Sequence, residues 1–142
     1  MLGRKVIPFL MVLGAAVWTH TNPVDAQTEI IDIPPEEWRE LALGRTLTYR
    51  IDGNFFAIER YSRTGNFVEL QLANGECLAG TWNHQGNAYC FNWDSGNPAC
   101  FRHTRQGGRI IIIQLENGVD TELTQEMTAI GDAPLSCSQN LS

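Results

Sequence analysis

The densest group of cationic side chains in this acidic chain surrounds a histidine. Arg102, His103, Arg105 and Arg109 lie close together around the turn Gly107-Gly108. Guanidinium groups hold carboxylates and phosphates through paired hydrogen bonds, and a neighbouring histidine adds a donor whose charge depends on pH. These residues are therefore a candidate anion-binding site. The alternative is a solvated hairpin on which the arginines pair with neighbouring glutamates.

A second candidate site is a set of aromatic residues at strand spacing. Trp82, Tyr89, Phe91 and Trp93 could form a surface on which a sugar or an aromatic ligand stacks. Rings at this spacing also fill the cores of β-sheet proteins, and both interpretations stay open. The candidate ligand-binding residues are, in all, Trp82, Trp93, Arg102, His103 and Arg105.

No motif predicts a catalytic or metal centre. The chain contains neither G-x-S-x-G nor H-E-x-x-H, and no glycine-rich phosphate loop leads into a helix. Glu122 and Glu126 share a strand face, but carboxylates on a polar outer face commonly do so without paired-carboxylate chemistry. His84 lies in a turn and has no metal-binding partner at a suitable spacing. We therefore predict no catalytic residue, no metal and no cofactor.

The cysteines predict two disulfide bonds. An even number of cysteines in an exported chain is typical of disulfides, and the four cysteines allow three pairings. Cys90 and Cys100 flank the turn 94–97 and are equally distant from Ser95, which places them opposite each other on two strands. We favour Cys90–Cys100, which leaves Cys77–Cys137 to tie the C-terminal tail to the sheet. A zinc site is the alternative, but the chain has no C-x-x-C pair.

The N-terminal segment has the pattern of a secretory signal peptide. Arg4 and Lys5 precede an uncharged apolar run over residues 6–17, and Val24-Asp25-Ala26 then places small residues before Gln27. This pattern predicts a signal peptide over residues 1–26 and export to the periplasm or the extracellular space. The alternative is an uncleaved membrane anchor, for which the run is short because about 20 residues are needed to cross a bilayer.

The remaining chain, residues 27–142, is predicted to be a single disulfide-braced domain. It carries eight arginines, no lysine and fifteen acidic residues, a net charge of −7. This charge argues against nucleic acid and anionic membrane surfaces as partners. The expected partner is then an envelope protein or a small ligand. We expect no stable insertion into a membrane after signal cleavage, and the sequence does not predict an oligomeric state.

Tight-turn pairs ending in glycine recur about every ten residues, the spacing expected of hairpins. These pairs are Asp52-Gly53, Thr64-Gly65, Asn74-Gly75, Gln85-Gly86, Ser95-Gly96, Gly107-Gly108 and Asn117-Gly118. The segments between them alternate apolar and polar residues, and the predicted strands are 46–51, 55–61, 67–72, 77–82, 89–93, 99–103, 110–115 and 121–127. The pattern predicts a mainly β domain, an antiparallel meander of about eight short strands that forms a small barrel or a curved sheet.

One short helix is expected before the first of these strands. Residues 35–43 are predicted to be helical. Pro35 and the two glutamates after it are typical of a helix start, and Gly44 is typical of a helix end. Residues 27–33 are predicted to be a loose leader. The run 110–113 is apolar on both faces, so we expect the helix to cover its outer side through Trp38. The large rings should fill most of a small barrel and leave at most a shallow pocket at one mouth.

Four short motifs carry a resemblance to small exported bacterial proteins of unknown function. The motifs are Gly44-Arg45-Thr46, Gly80-Thr81-Trp82, Tyr89-Cys90-Phe91-x-Trp93 and Cys100-Phe101-Arg102-His103. The resemblance covers residues 37–135 and implies export and a cysteine-braced β-fold, but no activity. The strand count is also similar to that of calycin-type barrels, a likeness of fold alone.

The sequence therefore favours a non-enzymatic binding or interaction module of the cell envelope. One alternative is an envelope-acting hydrolase centred on His103 and Arg102. Another is an inhibitor of a secreted hydrolase that acts through the hairpin tip 94–98.

Overall fold

The computed structural model describes Trp18 and residues 27–137, so the predicted signal peptide lies outside the described residues except for Trp18. The described chain contains one helix and nine strands. In chain order they are β1 (Ile30–Asp32), α1 (Pro35–Ala42), β2 (Thr46–Ile51), β3 (Asn54–Tyr61), β4 (Phe67–Leu72), β5 (Cys77–Gln85), β6 (Ala88–Trp93), β7 (Ala99–Gln106), β8 (Arg109–Glu116) and β9 (Val119–Gly131).

Strands β2 to β9 form a closed antiparallel barrel. Each strand pairs with the next along the chain, and β9 returns to pair with β2, from Thr46↔Gly131 to Arg50↔Glu126. The predicted mainly β class, the eight-strand meander and the single short helix are confirmed. Of the two architectures that the sequence left open, the structure has the closed barrel.

Glycine-containing turns join the strands as predicted. The two-residue connection Asn117-Gly118 has φ values of 51° and 77°, and Asp52-Gly53 has φ values of 49° and 76°. Tight hairpins of type I′ require positive φ at both central residues, which is why Asn or Asp followed by Gly occupies these positions.

The prediction of a loose leader over residues 27–33 is wrong in part, because this segment contains a short strand. Residues Ile30–Asp32 form β1, which pairs antiparallel with residues 104–106 of β7. Strand β6 pairs only with residues 99–101 of β7 and leaves the rest of that edge for β1. The prediction missed β1 because three residues are too few to show an alternating pattern.

Helix α1 closes one end of the barrel instead of covering its outer wall. Trp38 is fully buried, and its ring lies 6.1 Å from that of Tyr61, 5.9 Å from that of Tyr89 and 4.1 Å from that of His103. The prediction that Trp38 covers the outer side of residues 110–113 is therefore wrong. The apolar spacing of a helix identifies the face that is buried, but not the surface that buries it.

Both predicted disulfides are present, and one of them anchors the tail that follows β9. Cys90 lies directly opposite Cys100 in the β6–β7 pair and is bonded to it. The tail crosses the outer surface of the barrel, buries Leu135 completely and is bonded through Cys137 to Cys77 of β5. Two disulfides indicate an oxidising location outside the cytoplasm. None of the helices in the described part of the chain has the length and apolar character needed to span a membrane.

Candidate functional site

The two ends of the barrel differ in what fills them. At the end beneath α1, Tyr61 and Trp82 pack edge to face with ring centroids 5.7 Å apart, and Trp82 and Tyr89 lie 6.1 Å apart. At the opposite end, where the turns 52–53, 94–98 and 117–118 lie, the barrel contains a cavity of about 390 Å³. The large rings thus fill only one end of the barrel interior.

Aromatic side chains form much of the cavity wall. Phe91 stacks on Trp93 with ring centroids 5.6 Å apart and meets Phe101 edge to face at 5.8 Å. The β2–β3 register shifts between Tyr49 and Arg50, so that Phe56 is an extra residue in β3 and lines the cavity too. A bulge of this kind turns a side chain out of the regular alternation. The wall is consequently richer in rings than strict alternation would allow.

A buried carboxyl group lies at the inner limit of the cavity. Glu59 is 6% exposed, and the Tyr49 hydroxyl donates a hydrogen bond of 3.0 Å to its Oε1. The next inward residue of β3, Tyr61, is fully buried, and its hydroxyl has no hydrogen-bond partner of regular geometry among the described residues. Burial raises the pKa of Glu59 to about 7, although the nearby hydroxyls of Tyr61 and Tyr49 oppose the shift.

A neutral histidine lies at the same depth on β7. His103 is 2% exposed and stacks on Tyr89 with ring centroids 3.9 Å apart. Its Nδ1 has no hydrogen-bond partner among the described residues. Burial, together with the nearby His84, holds the pKa of His103 well below its usual range. The imidazole therefore carries no positive charge near neutral pH.

The charged side chains around the cavity are all acidic. Asp52, Glu59 and Glu122 contribute carboxyl groups, and no lysine or arginine is among the described residues that line it. Gln114 and Gln125 add amide groups. Within residues 27–137, no group of His, Cys, Asp and Glu side chains has an arrangement that could hold a metal ion.

The predicted arginine cluster lies away from the cavity, and its members pair with acidic side chains of the protein. Arg102 donates hydrogen bonds to Asp32 and Asp120. Arg105 pairs with a glutamate of α1, and Arg109 pairs with a glutamate of β9. This arrangement matches the solvated-hairpin alternative, in which the arginines pair with neighbouring carboxylates.

The five candidate ligand-binding residues are therefore distributed over three places. Trp93 and His103 line the cavity, whereas Arg102 and Arg105 are held in ion pairs. Trp82 is 1% exposed at the closed end, where the Arg39 guanidinium lies 4.8 Å from the centre of its ring. Arg102 and His103 are neighbours in one strand, so their side chains lie on opposite faces of the barrel wall.

Sequence reasoning missed Glu59. The alternation of β3 could have identified it. Ala57, Glu59 and Tyr61 are the buried residues of this strand, and Glu59 is the charged one among them. An ionisable residue at a core position is uncommon without a partner, and such positions often belong to a functional site.

Comparisons of the chain with protein-family models, with curated proteins and with solved structures found no match. The resemblance to small exported bacterial proteins thus stays a prediction.

Proposed function

We propose that this protein is an exported binding protein that holds a small, largely apolar molecule in the open end of its barrel. The observation that carries the proposal is the cavity of about 390 Å³, walled by Phe91, Trp93 and Phe101. Small-molecule sites typically have volumes of about 300–1,000 Å³ and combine apolar walls with a few polar groups.

The surrounding structure supports binding because it holds the walls in place. The barrel is closed by hydrogen bonds all round, and the Cys90–Cys100 bond joins the two strands that carry Phe91 and Phe101. A preformed cavity lowers the entropy that is lost when a ligand binds.

The two alternative functions have less support. The hydrolase hypothesis needs Arg102 and His103 at one substrate, but their side chains lie on opposite faces of the wall, and Arg102 is bound to Asp32 and Asp120. The inhibitor hypothesis concerns the exposed tip 94–98, and no described feature of that tip identifies a hydrolase partner.

Filling the cavity tests the proposal. Gln125 is half-buried and lines the cavity, so Gln125→Trp places an indole in the space that a ligand would occupy. We expect wild-type protein to bind the neutral dye Nile red with a rise in fluorescence, and Gln125→Trp to bind it at least about tenfold more weakly.

The matched control is Phe67→Trp, which adds an indole at a residue that is 42% exposed and does not line the cavity. This variant should bind the dye as wild type does. Failure of the wild-type protein to bind, or equal binding by Gln125→Trp, would contradict the proposal.

A further inference from the structure

We infer that the molecule bound in this cavity carries a cationic amine, which the Glu59 carboxylate holds at the inner limit of the cavity. The inference rests on the proposed function and names the ligand class for the same site. It depends on three features of the cavity, which are the incomplete bonding of Glu59, the sign of the surrounding charges and the aromatic wall.

Glu59 has bonding capacity that the described protein does not use. Its one hydrogen bond of regular geometry comes from Tyr49 to Oε1, and the nearby Tyr61 hydroxyl also stabilises its charge, whereas an ionised carboxylate has about four acceptor sites. A buried carboxylate without a counter-charge is unfavourable, and ion pairing or protonation relieves this. An ammonium group, which is a compact donor of up to three hydrogen bonds, would supply both the charge and the missing bonds.

The charges around Glu59 favour a cation over an anion. Asp52 and Glu122 line the cavity, and no arginine or lysine is among its described lining residues. Burial lowers the pKa of His103 and raises the pKa values of Tyr49 and Tyr61. All three side chains are therefore uncharged near neutral pH. An anionic ligand would meet only carboxyl groups in this site, and a cation would be attracted by them.

The aromatic wall suits the rest of such a ligand. Trp93, Phe91 and Phe101 lie together on two strands and provide apolar surface for a ring or a short hydrocarbon chain. The negative face of an aromatic ring also attracts a nearby cation, so these rings add to the preference for an amine. The expected ligand is therefore an amphipathic amine with a compact apolar body.

A matched series of probes tests the charge preference. Naphthylethylamine, naphthylethanol and naphthylacetate (the anion of naphthylacetic acid) share one ring system and a chain of similar length. They are cationic, neutral and anionic, respectively. At about pH 8, isothermal titration calorimetry should show that the amine binds about 10- to 100-fold more tightly than the alcohol, as expected for a charge-assisted hydrogen bond. Naphthylacetate should bind most weakly.

Glu59→Gln identifies the residue responsible. Glutamine keeps the shape of the side chain and an acceptor for Tyr49, so the variant should lose the preference for the amine and keep its affinity for the alcohol. Glu116→Gln is the matched control, because it removes an exposed carboxylate that does not line the cavity and should change amine affinity less than about threefold.

The wild-type protein provides a test that needs no variant. A bound ammonium requires ionised Glu59, whose pKa is about 7 in the ligand-free protein. Amine affinity should therefore rise about tenfold between pH 6 and pH 8, while the affinity for the alcohol should not rise.

The outcomes separate this inference from the proposed function. Equal affinity for amine and alcohol, tighter binding of naphthylacetate, or an unchanged amine preference in Glu59→Gln would overturn the inference. So would an absence of binding by all three probes if Nile red still binds in the cavity. If the wild-type protein binds neither the three probes nor Nile red, the proposed function itself is overturned.

Discussion

At the scale of single residues, burial shifts two ionisable groups in opposite directions at the same level of the barrel. The pKa of Glu59 is raised to about 7, and the pKa of His103 is lowered well below its usual range. Each shift favours the neutral form, because burial removes the water that would stabilise the charged form. At neutral pH, Glu59 is thus about half ionised, whereas His103 is neutral.

The raised pKa of Glu59 predicts a specific dependence of stability on pH. Its pKa rises from 4.5 to about 7 on folding, so between these values the folded state binds more protons than the unfolded state. The contribution is present below pH 4.5 and is lost as the pH rises through 7, by about 3 kcal/mol in total. Denaturant unfolding at several pH values should show this loss as a difference in the free energy of unfolding between wild type and Glu59→Gln.

The comparison between wild type and Glu59→Gln is necessary because His103 has the opposite effect. Its lowered pKa removes stability as the pH falls below about 6.5, the ordinary histidine value. Subtracting the two stability curves cancels the histidine contribution. A constant difference between wild type and Glu59→Gln from pH 4 to pH 8 would show that Glu59 ionises as freely in the folded protein as in the unfolded chain.

At the scale of elements, α1 contributes more to the barrel interior than its length suggests. Two turns of helix place Trp38 against Tyr61, Tyr89 and His103, and Ala42 is also fully buried. The helix thereby closes the end of the barrel that β-strand side chains alone leave uncovered. This arrangement also separates the packed end from the cavity, because His103 touches Trp38 on one side and lines the cavity on the other.

Trp38→Ala tests the role of the helix as a closure. Removal of a fully buried indole should lower the free energy of unfolding by about 3–5 kcal/mol through lost burial and the vacated space. Chemical denaturation followed by circular dichroism measures this change. Glu40→Ala, an exposed substitution on the same helix, should stay within about 0.5 kcal/mol of wild type. Similar stabilities for the two variants would refute the closure.

At the scale of the whole molecule, the disulfides differ in the length of chain that they constrain. Cys77 and Cys137 are 60 residues apart and tie the tail across the outside of the barrel. Cys90 and Cys100 are 10 residues apart, within one hairpin. A longer closed loop removes more conformational entropy from the unfolded chain, so the first bond should contribute more to stability.

We expect replacement of Cys77 and Cys137 by Ala to lower the free energy of unfolding by about 4 kcal/mol, and replacement of Cys90 and Cys100 by about 3 kcal/mol. Thermal and denaturant unfolding of the two double variants measures the difference, and each serves as the control for the other. A greater loss from the hairpin variant would mean that the tail contributes little.

Local patterns in the chain were sufficient for the eight strands of the barrel, for the turns and for the pairing of Cys90 with Cys100. Alternation of apolar and polar residues follows directly from the two-residue repeat of a strand, and Asn-Gly or Asp-Gly identifies a tight hairpin from two residues alone. The hairpin turn also placed Cys90 opposite Cys100. These features depend on neighbours within about ten residues, which is the range over which such patterns are informative.

Features that depend on contacts between distant parts of the chain could not be predicted from such local patterns. Closure requires β2 and β9 to meet, and the sequence left a barrel and an open sheet equally available. The position of α1, the pairing of β1 with β7 and the shared depth of Glu59 and His103 likewise join residues that are far apart along the chain. Amino-acid type and spacing determine which face of an element is buried, whereas the three-dimensional packing determines what that face meets.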